Sequence, residues 1–230
     1  MIGRHHKGFT LVELSLVMAF LSVLLLAILY TTLQIGKLYA KGITNRTINQ
    51  VGRELSDTLR RDFAAANLNR IVMPHVDGEG SALSGRVCLG SVSYVWNTAE
   101  VVNQPTATAI TRNGTPISLE RVIDGSSKLC AVQDSGAYIT DLPTDLTSTS
   151  LLSTDARSLA VYAITVTPMA TNAENGLYEI KMTIGTNDAS ATQKDATQAV
   201  QCKPPTDSSS DFNYCSVADF DIIVRVGGSK

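Results

Sequence analysis

The sequence has few of the residues that catalytic and metal sites require. It contains three histidines: His5 and His6 lie in a short basic patch at the N-terminus, and His75 directly follows Pro74. A histidine-based catalytic site would therefore depend on His75 alone. The chain also has no G-x-x-x-x-G-K-[ST] or G-x-G-x-x-G motif for phosphates and no C-x-x-C pair for a metal. These absences predict a protein that is not an enzyme and holds neither a metal nor a cofactor.

Charge is also scarce, and there is no excess of basic residues. Charged residues make up 17% of the chain, and 19 Lys and Arg face 21 Asp and Glu, for a net charge of −2. Binding to a phosphate backbone needs clustered Lys and Arg. The balance therefore disfavours nucleic acid as a partner.

One long stretch near the N-terminus lacks charge altogether. Between Leu14 and Gly36 the only ionisable side chain is Tyr30. A hydrocarbon core of about 30 Å needs about 20 apolar helical residues to cross it. After Lys37 the chain is rich in Thr, Ser, Asp and Asn. The sequence therefore predicts one membrane span followed by a water-facing domain.

The order of features at the N-terminus differs from that of an ordinary secretory signal. Such a signal has a basic start, a short apolar core and then a small-residue cleavage site. Here the small residue, Gly8, follows the basic patch Arg4 to Lys7 and precedes the apolar core. A cut after Gly8 would leave the apolar segment on the mature protein.

The run KGFTLVE, from Lys7 to Glu13, resembles the leader junction of type IV prepilins and pseudopilins. The resemblance implies that a membrane peptidase removes the leader, residues 1–8, by cutting between Gly8 and Phe9, and that Phe9 is then N-methylated. It implies four partners: other pilin subunits, the prepilin peptidase, an inner-membrane assembly platform, and membrane lipid before assembly.

Glu13 is a carboxylate close to the start of the apolar segment, where ionisable residues usually have a function and a partner. It follows Phe9 by four residues, so on a helix the two share a face about 6 Å apart along the axis. In the resembling family the equivalent glutamate pairs with the N-terminal amine of a neighbouring subunit. The alternative is that Glu13 only stabilises the positive end of the helix, by about 0.3–1 kcal/mol.

Beyond the apolar run the pattern becomes amphipathic. From Leu38 to Phe63, apolar residues recur at spacings near three and four, with charged residues on the other faces. Pro74 is the first proline and ends the helical pattern. The sequence predicts one rod from about Phe9 to about Leu68, in which 9–36 is the transmembrane and polymerisation half and 37–68 an amphipathic spine.

Three glycines, Gly36, Gly42 and Gly52, interrupt this rod, and each disfavours helix by about 1 kcal/mol relative to Ala. One interpretation is that they allow close contacts of the helix. The other is that the region from Gly36 to Gly42 loosens when the subunit leaves lipid.

Residues 69–230 form a β-rich head by their pattern. From Val87 onward, apolar residues alternate with polar ones, as in antiparallel strands with one face on a core. Two polar segments, 141–155 and 187–219, are predicted as loops. The predicted fold class is α+β, a long N-terminal helix packed against an antiparallel β-sheet. The predicted inward faces are Val92, Tyr94 and Trp96; Ala160, Tyr162, Ile164 and Val166; Tyr178, Ile180, Met182 and Ile184; and Phe220, Ile222, Val224 and Val226.

All four cysteines, Cys88, Cys130, Cys202 and Cys215, lie in the head. An even number beyond a membrane anchor indicates disulfides formed in an oxidising compartment. Cys202 and Cys215 enclose a short loop whose closure stabilises by about 3 kcal/mol in the chain-entropy model. We favour that pair, with Cys88 and Cys130 as the remaining one, among three possible connectivities. The other interpretation, a four-thiolate metal site, lacks the usual spacing.

The sequence thus predicts a filament subunit, a minor pilin of a type IV pilus, because major pilins are usually smaller. It would lie in the inner membrane before assembly and then in an extracellular pilus. The alternatives are a pseudopilin in a periplasmic pseudopilus of a type II secretion system, and a membrane-anchored binding protein that never polymerises. A DNA-binding competence pilin is disfavoured by the acidic balance.

Overall fold

The dominant element of the computed structural model is one helix, α1 (Leu11–Ala65), of 55 residues and about 80 Å. It ends where Ala66 takes an extended backbone, and a short 3₁₀ turn (Leu68–Arg70) follows. These bounds agree with the predicted rod. The structure describes residues 10–73, 83–134, 136–152, 158–169, 176–207 and 214–227.

The rest of the described chain forms antiparallel strands, one short α-helix and a second 3₁₀ turn (Lys128–Cys130). Two sheets dominate, a four-stranded sheet of order β1-β2-β5-β6 and a three-stranded sheet of order β11-β8-β7, and β3-β4 and β9-β10 form small hairpins. The predicted α+β class is therefore confirmed. The elements are β1 (Ser84–Cys88), β2 (Val92–Asn97), α2 (Ala99–Asn103), β3 (Thr111–Arg112), β4 (Thr115–Pro116), β5 (Leu119–Ile123), β6 (Ser148–Ser150), β7 (Leu159–Pro168), β8 (Leu177–Thr186), β9 (Thr192–Lys194), β10 (Val200–Cys202) and β11 (Val217–Arg225).

The main core lies between the second half of α1 and the sheets. The amphipathic stripe of α1 is buried, from Ile48 to Phe63, and it packs against the inward faces of β8 and β11. The rings of Phe63 and Tyr178 lie 5.9 Å apart at 54°. Each fully buried large apolar side chain contributes about 1.5–3 kcal/mol, so this stripe attaches the helix firmly to the head.

Gly52 permits a close approach between α1 and β11. A Cβ atom on Gly52 would lie 2.0 Å from Cζ of Phe220. At Gly36 and Gly42, by contrast, a Cβ atom would meet nothing within 4 Å, and α1 continues through both. The close-contact interpretation is therefore confirmed at Gly52, and contacts within the chain do not test it at Gly36 and Gly42.

The inward faces predicted for β8 and β11 are correct, but the one predicted for β7 is wrong in its first half. A β-bulge between Val161 and Ala163 adds one residue on β7 relative to β8. Val161 and Ile164 therefore both face the main core, and Tyr162 does not join them. A bulge reverses the alternation locally, because the side-chain period of a strand is two.

Strand β2 is buried on both faces, whereas its alternation predicted one face in water. Tyr94 and Trp96 face the main core, and Val95 faces a second core that includes Ile110 and Leu129. The segments after β2 and β5 fold back over this face, so even Ser93 is buried.

The two predicted loops contain short strands. Residues 141–155 include β6, and residues 187–219 include the β9-β10 hairpin and the start of β11. Strands β6, β9 and β10 have three residues each and mostly Ser, Thr and Gln side chains. Backbone pairing holds them together, and they lack the apolar alternation by which a strand is predicted from sequence.

The head contains two disulfides, in the connectivity favoured from the sequence. Cys88 on β1 pairs with Cys130, and Cys202 on β10 pairs with Cys215, just before β11. The first closes a sequence separation of 42 residues and lies in the second core, and the second closes one of 13.

Candidate functional site

The N-terminus of α1 is closed by a reciprocal cap between Thr10 and Glu13. The Thr10 backbone N–H and hydroxyl both donate to Glu13 Oε2, at 2.9 and 3.0 Å. The Glu13 backbone N–H donates in return to Thr10 Oγ1, at 3.3 Å. This is a capping box, which satisfies the otherwise unpaired N–H groups of a first helical turn. Glu13 thus stabilises the start of the helix, which was the alternative to its predicted role in assembly.

The predicted cleavage and methylation positions, Gly8 and Phe9, lie outside the described residues, which begin at Thr10. The leader, residues 1–8, lies outside them as well. Glu13 is thus the only predicted residue of the processing and assembly motif whose surroundings the structure gives.

The first half of α1 is an apolar surface that the head does not cover. Every residue from Thr10 to Tyr39 is exposed. Among the described residues α1 is the one helix long and apolar enough to cross a membrane. Contiguous exposed apolar patches beyond a few hundred Å² mark membrane or protein contacts. The large apolar side chains exposed on this half are Leu11, Val12, Leu14, Leu16, Val17, Met18, Phe20, Leu21, Val23, Leu24, Leu25, Leu26, Ile28, Leu29, Tyr30, Leu33, Ile35, Leu38, Tyr39 and Ile43.

The exposed half leaves the head beside the second disulfide. The Lys41 ammonium donates to the carbonyl oxygen of Cys215, and desolvation there lowers the pKa of Lys41. The Ser216 hydroxyl donates to Asn45 Oδ1 at 2.6 Å, and Thr44 is completely buried. Cys215 and Ser216, which lie just before β11, therefore fix the point at which α1 emerges. Sequence reasoning missed these contacts, because nothing local pairs residues more than 170 positions apart.

A polar contact fixes the other end of α1 to the four-stranded sheet. Asp62 accepts hydrogen bonds from the Tyr94 hydroxyl at 2.5 Å and from Arg121, Nε at 2.6 Å and Nη2 at 3.1 Å. Burial, together with the Asp62 carboxylate, raises the pKa of Tyr94, and the hydrogen bonds to Asp62 raise the pKa of Arg121. Hydrogen bonds to an ionised group are stronger than neutral ones. The head therefore holds α1 at both ends of the docked half.

Within the described residues, no three His, Cys, Asp or Glu side chains form a group that could hold a metal ion. The exposed apolar half of α1, from Leu11 to Tyr39, is therefore the candidate contact surface among the described residues. Comparison of the chain with known protein families, with curated proteins and with solved structures gives no match.

Proposed function

We propose that this chain is a type IV pilin-like filament subunit, a minor pilin, cut between Gly8 and Phe9, methylated at Phe9 and assembled through α1. The observation that supports the proposal most is the division of α1. Its first half is apolar and exposed, and its second half is held in the head by the buried stripe and by Asp62.

This division suits a subunit that exchanges one apolar environment for another. Before assembly, residues 11–36 would lie in the inner membrane, with the head on the far side. In the filament, the same side chains would pack against the helices of other copies. Because α1 is one continuous helix, packing of the first halves of α1 from several copies would set the positions of their heads. The mature subunit would then be part of an extracellular pilus.

Glu13 would guide a new copy into register. The capping box uses Oε2 of Glu13, and the structure gives no bond to Oε1 within the described residues. An ionised carboxylate has two acceptor oxygens, so Oε1 can accept a hydrogen bond from the free amine of Phe9 on a neighbouring copy. Two opposite charges that would otherwise lie unpaired in an apolar bundle stabilise each other strongly.

Mass spectrometry of the mature N-terminus tests the proposal directly. The chain is purified from membranes of its host and from a matched strain without the prepilin peptidase. We expect a first residue of methylated Phe9 in the first sample and an intact leader in the second. An intact Met1 in both samples would overturn the proposal.

A further inference from the structure

The charges of the chain are divided between α1 and the head. From Lys37 to Arg70 there are 7 Lys and Arg and 3 Asp and Glu, a net charge of +4. From residue 71 to residue 230 there are 10 Lys and Arg and 17 Asp and Glu, a net charge of −7. The chain therefore combines a basic helix with an acidic head, and surfaces of opposite charge direct the association of proteins.

The basic residues of α1 include a row on the face that points away from the main core. Arg46, Arg53 and Arg60 are spaced by seven residues, so they lie about 10.5 Å apart along the axis and about 20° apart around it. All three are exposed, whereas the buried stripe of α1 faces the sheets. Arg60 pairs with Asp57 at 3.7 Å, but the structure gives Arg46 and Arg53 no ion pair among the described residues. This arginine row can therefore bind carboxylates of another molecule.

Asp219 and Asp221 lie on the opposite side of the head, on the outer face of β11. Phe220 between them points inward and packs against Gly52, so the two carboxylates point outward, and both residues are exposed. This packing also fixes their height, because Gly52 directly precedes Arg53 on α1. The carboxylates and Arg53 therefore lie at about the same level along α1, on opposite faces of one molecule.

The positive charges near these two carboxylates are few. Asp219 accepts one hydrogen bond, from a threonine hydroxyl at 2.6 Å, and Asp221 has no partner in the described part of the chain. Lys181 lies opposite Asp221 on β8, but its ammonium pairs with Glu179 at 3.1 Å. Arg225 lies four residues further along β11, about 13 Å away at the usual rise of a strand. The outer face of β11 is therefore acidic at this level.

We propose that copies of this chain associate front to back, with the arginine row of one copy against Asp219 and Asp221 of the next. Copies that lie side by side with parallel α1 helices bring Arg53 to these carboxylates without a shift along the axis. A shift of about 10.5 Å brings Arg46 or Arg60 to them instead. The contact joins two different faces, so each copy keeps a face free for a further copy, as in open chains of subunits.

The apolar half of α1 makes a contact of this kind effective. A single exposed ion pair contributes little, so the copies must already be close together. Copies held in one membrane by parallel helices meet at a raised effective concentration. Salt screens exposed charges, so the association should weaken as the salt concentration rises. The contact does not require cleavage after Gly8 or a filament, so it goes beyond the proposed function and can fail while that function holds.

Engineered cysteines test the contact between copies. Two full-length chains with different tags, one with Asp57→Cys and one with Ile223→Cys, are produced together in cells without a prepilin peptidase, and their membranes are oxidised. These positions lie about one helical turn above Arg53 and two residues beyond Asp221, so the proposed contact keeps its charges and brings the two thiols together. The control replaces Ile223→Cys with Thr149→Cys, an exposed position on β6 of the other sheet.

We expect a disulfide-linked dimer that carries both tags, at least about fivefold more abundant than with the control. Each cysteine variant produced alone should give no dimer, because the contact joins two different faces. Equal dimers with the β6 cysteine would indicate random collision and overturn the proposal, as would the absence of any mixed dimer.

Charge reversal then tests the electrostatic origin of the contact. Arg53→Glu in the chain with Asp57→Cys should lower the yield of mixed dimer at least about twofold, and Asp221→Arg in the other chain should restore it. Lys128→Glu makes the same change in net charge on an exposed residue of the head and should leave the yield unchanged. A loss with Arg53→Glu that Asp221→Arg does not restore would point to another anionic partner of α1 and overturn the proposal.

Discussion

Arg121 on β5 holds Asp62 on α1 with two hydrogen bonds, Nε to Oδ2 at 2.6 Å and Nη2 to Oδ1 at 3.1 Å. The side chains are 27% and 11% exposed, so water screens this pair only partly. The pair connects the long helix to the four-stranded sheet, whereas β8 and β11 of the three-stranded sheet supply the main apolar contacts of the helix.

Replacing Arg121 should therefore weaken the attachment of α1. We expect Arg121→Met to lower the free energy of unfolding by about 1.5–3 kcal/mol, because the Asp62 carboxylate then loses its charged hydrogen-bond donor. The control is Arg60→Met, whose pair with Asp57 spans 3.7 Å at 55% and 71% exposure. That change should shift the same quantity by less than about 0.5 kcal/mol. Urea unfolding followed by circular dichroism measures both, and equal effects would contradict the role of Asp62.

The contact between Gly52 and Phe220 predicts opposite effects at two helical glycines. Gly52→Ala places a methyl group against the Phe220 ring and should destabilise the head by about 1–3 kcal/mol. Gly42→Ala meets nothing within 4 Å and should stabilise by about 0.5–1 kcal/mol through helix propensity. Thermal unfolding of the two variants compares them. A Gly52→Ala protein as stable as Gly42→Ala would refute the close packing, and Phe220→Leu should partly rescue Gly52→Ala.

Glu13 combines a helix cap with a proposed charge pair, and two substitutions separate them. Glu13→Gln keeps an oxygen that accepts from Thr10 but removes the charge, and Glu13→Ala removes both. If the charge guides assembly, both variants should be absent from filaments while remaining in the membrane. Immunoblots of sheared filaments and of membranes measure this. Normal incorporation of both variants would exclude an assembly role for the Glu13 charge, whereas absence of the unaltered chain itself from filaments would favour an anchored protein that does not polymerise.

The two disulfides should differ in their contribution to stability. In the chain-entropy model, removing Cys88–Cys130 with serines costs about 4 kcal/mol and removing Cys202–Cys215 about 3 kcal/mol, because the first closes the longer loop. Cys88 and Cys130 are also buried in the second core, which increases the difference. Urea unfolding of the two double-serine variants measures the order. A larger loss from the Cys202–Cys215 variant would instead point to its contact with Lys41 as the dominant effect.

Asp188 makes the free energy of unfolding depend on pH. Hydrogen bonds from Ser190, foremost that from its hydroxyl at 2.6 Å, and from the Ala191 N–H lower the pKa of Asp188 below its ordinary value of 3.8. A carboxylate whose pKa falls on folding contributes stability above the unfolded value, and this contribution is lost as the pH falls through the folded value. Asp188→Asn should therefore lower the melting temperature at pH 7, and the difference should narrow as the pH falls below 3.8. A difference that stays constant with pH would contradict this origin.

Periodic segments could be predicted because their pattern is local. The apolar run to Ile35, the stripe from Ile48 to Phe63 and the alternation on β8 and β11 each follow from one element with one buried face. The short loop between Cys202 and Cys215 likewise favoured that disulfide by its spacing alone. At the site, the sequence singled out Glu13, and Thr10 three residues before it completes a capping box.

The long helix, the apolar character of its first half and the α+β class of the chain thus follow from the sequence alone. Tertiary packing was needed for the bulge at Tyr162, the second core beneath Val95 and the contacts that fix α1, Asp62 with Arg121 and Lys41 with Cys215. The physical reason is separation along the chain. Those contacts join residues 59 and 174 positions apart, and their energy exists only after packing has brought two elements together.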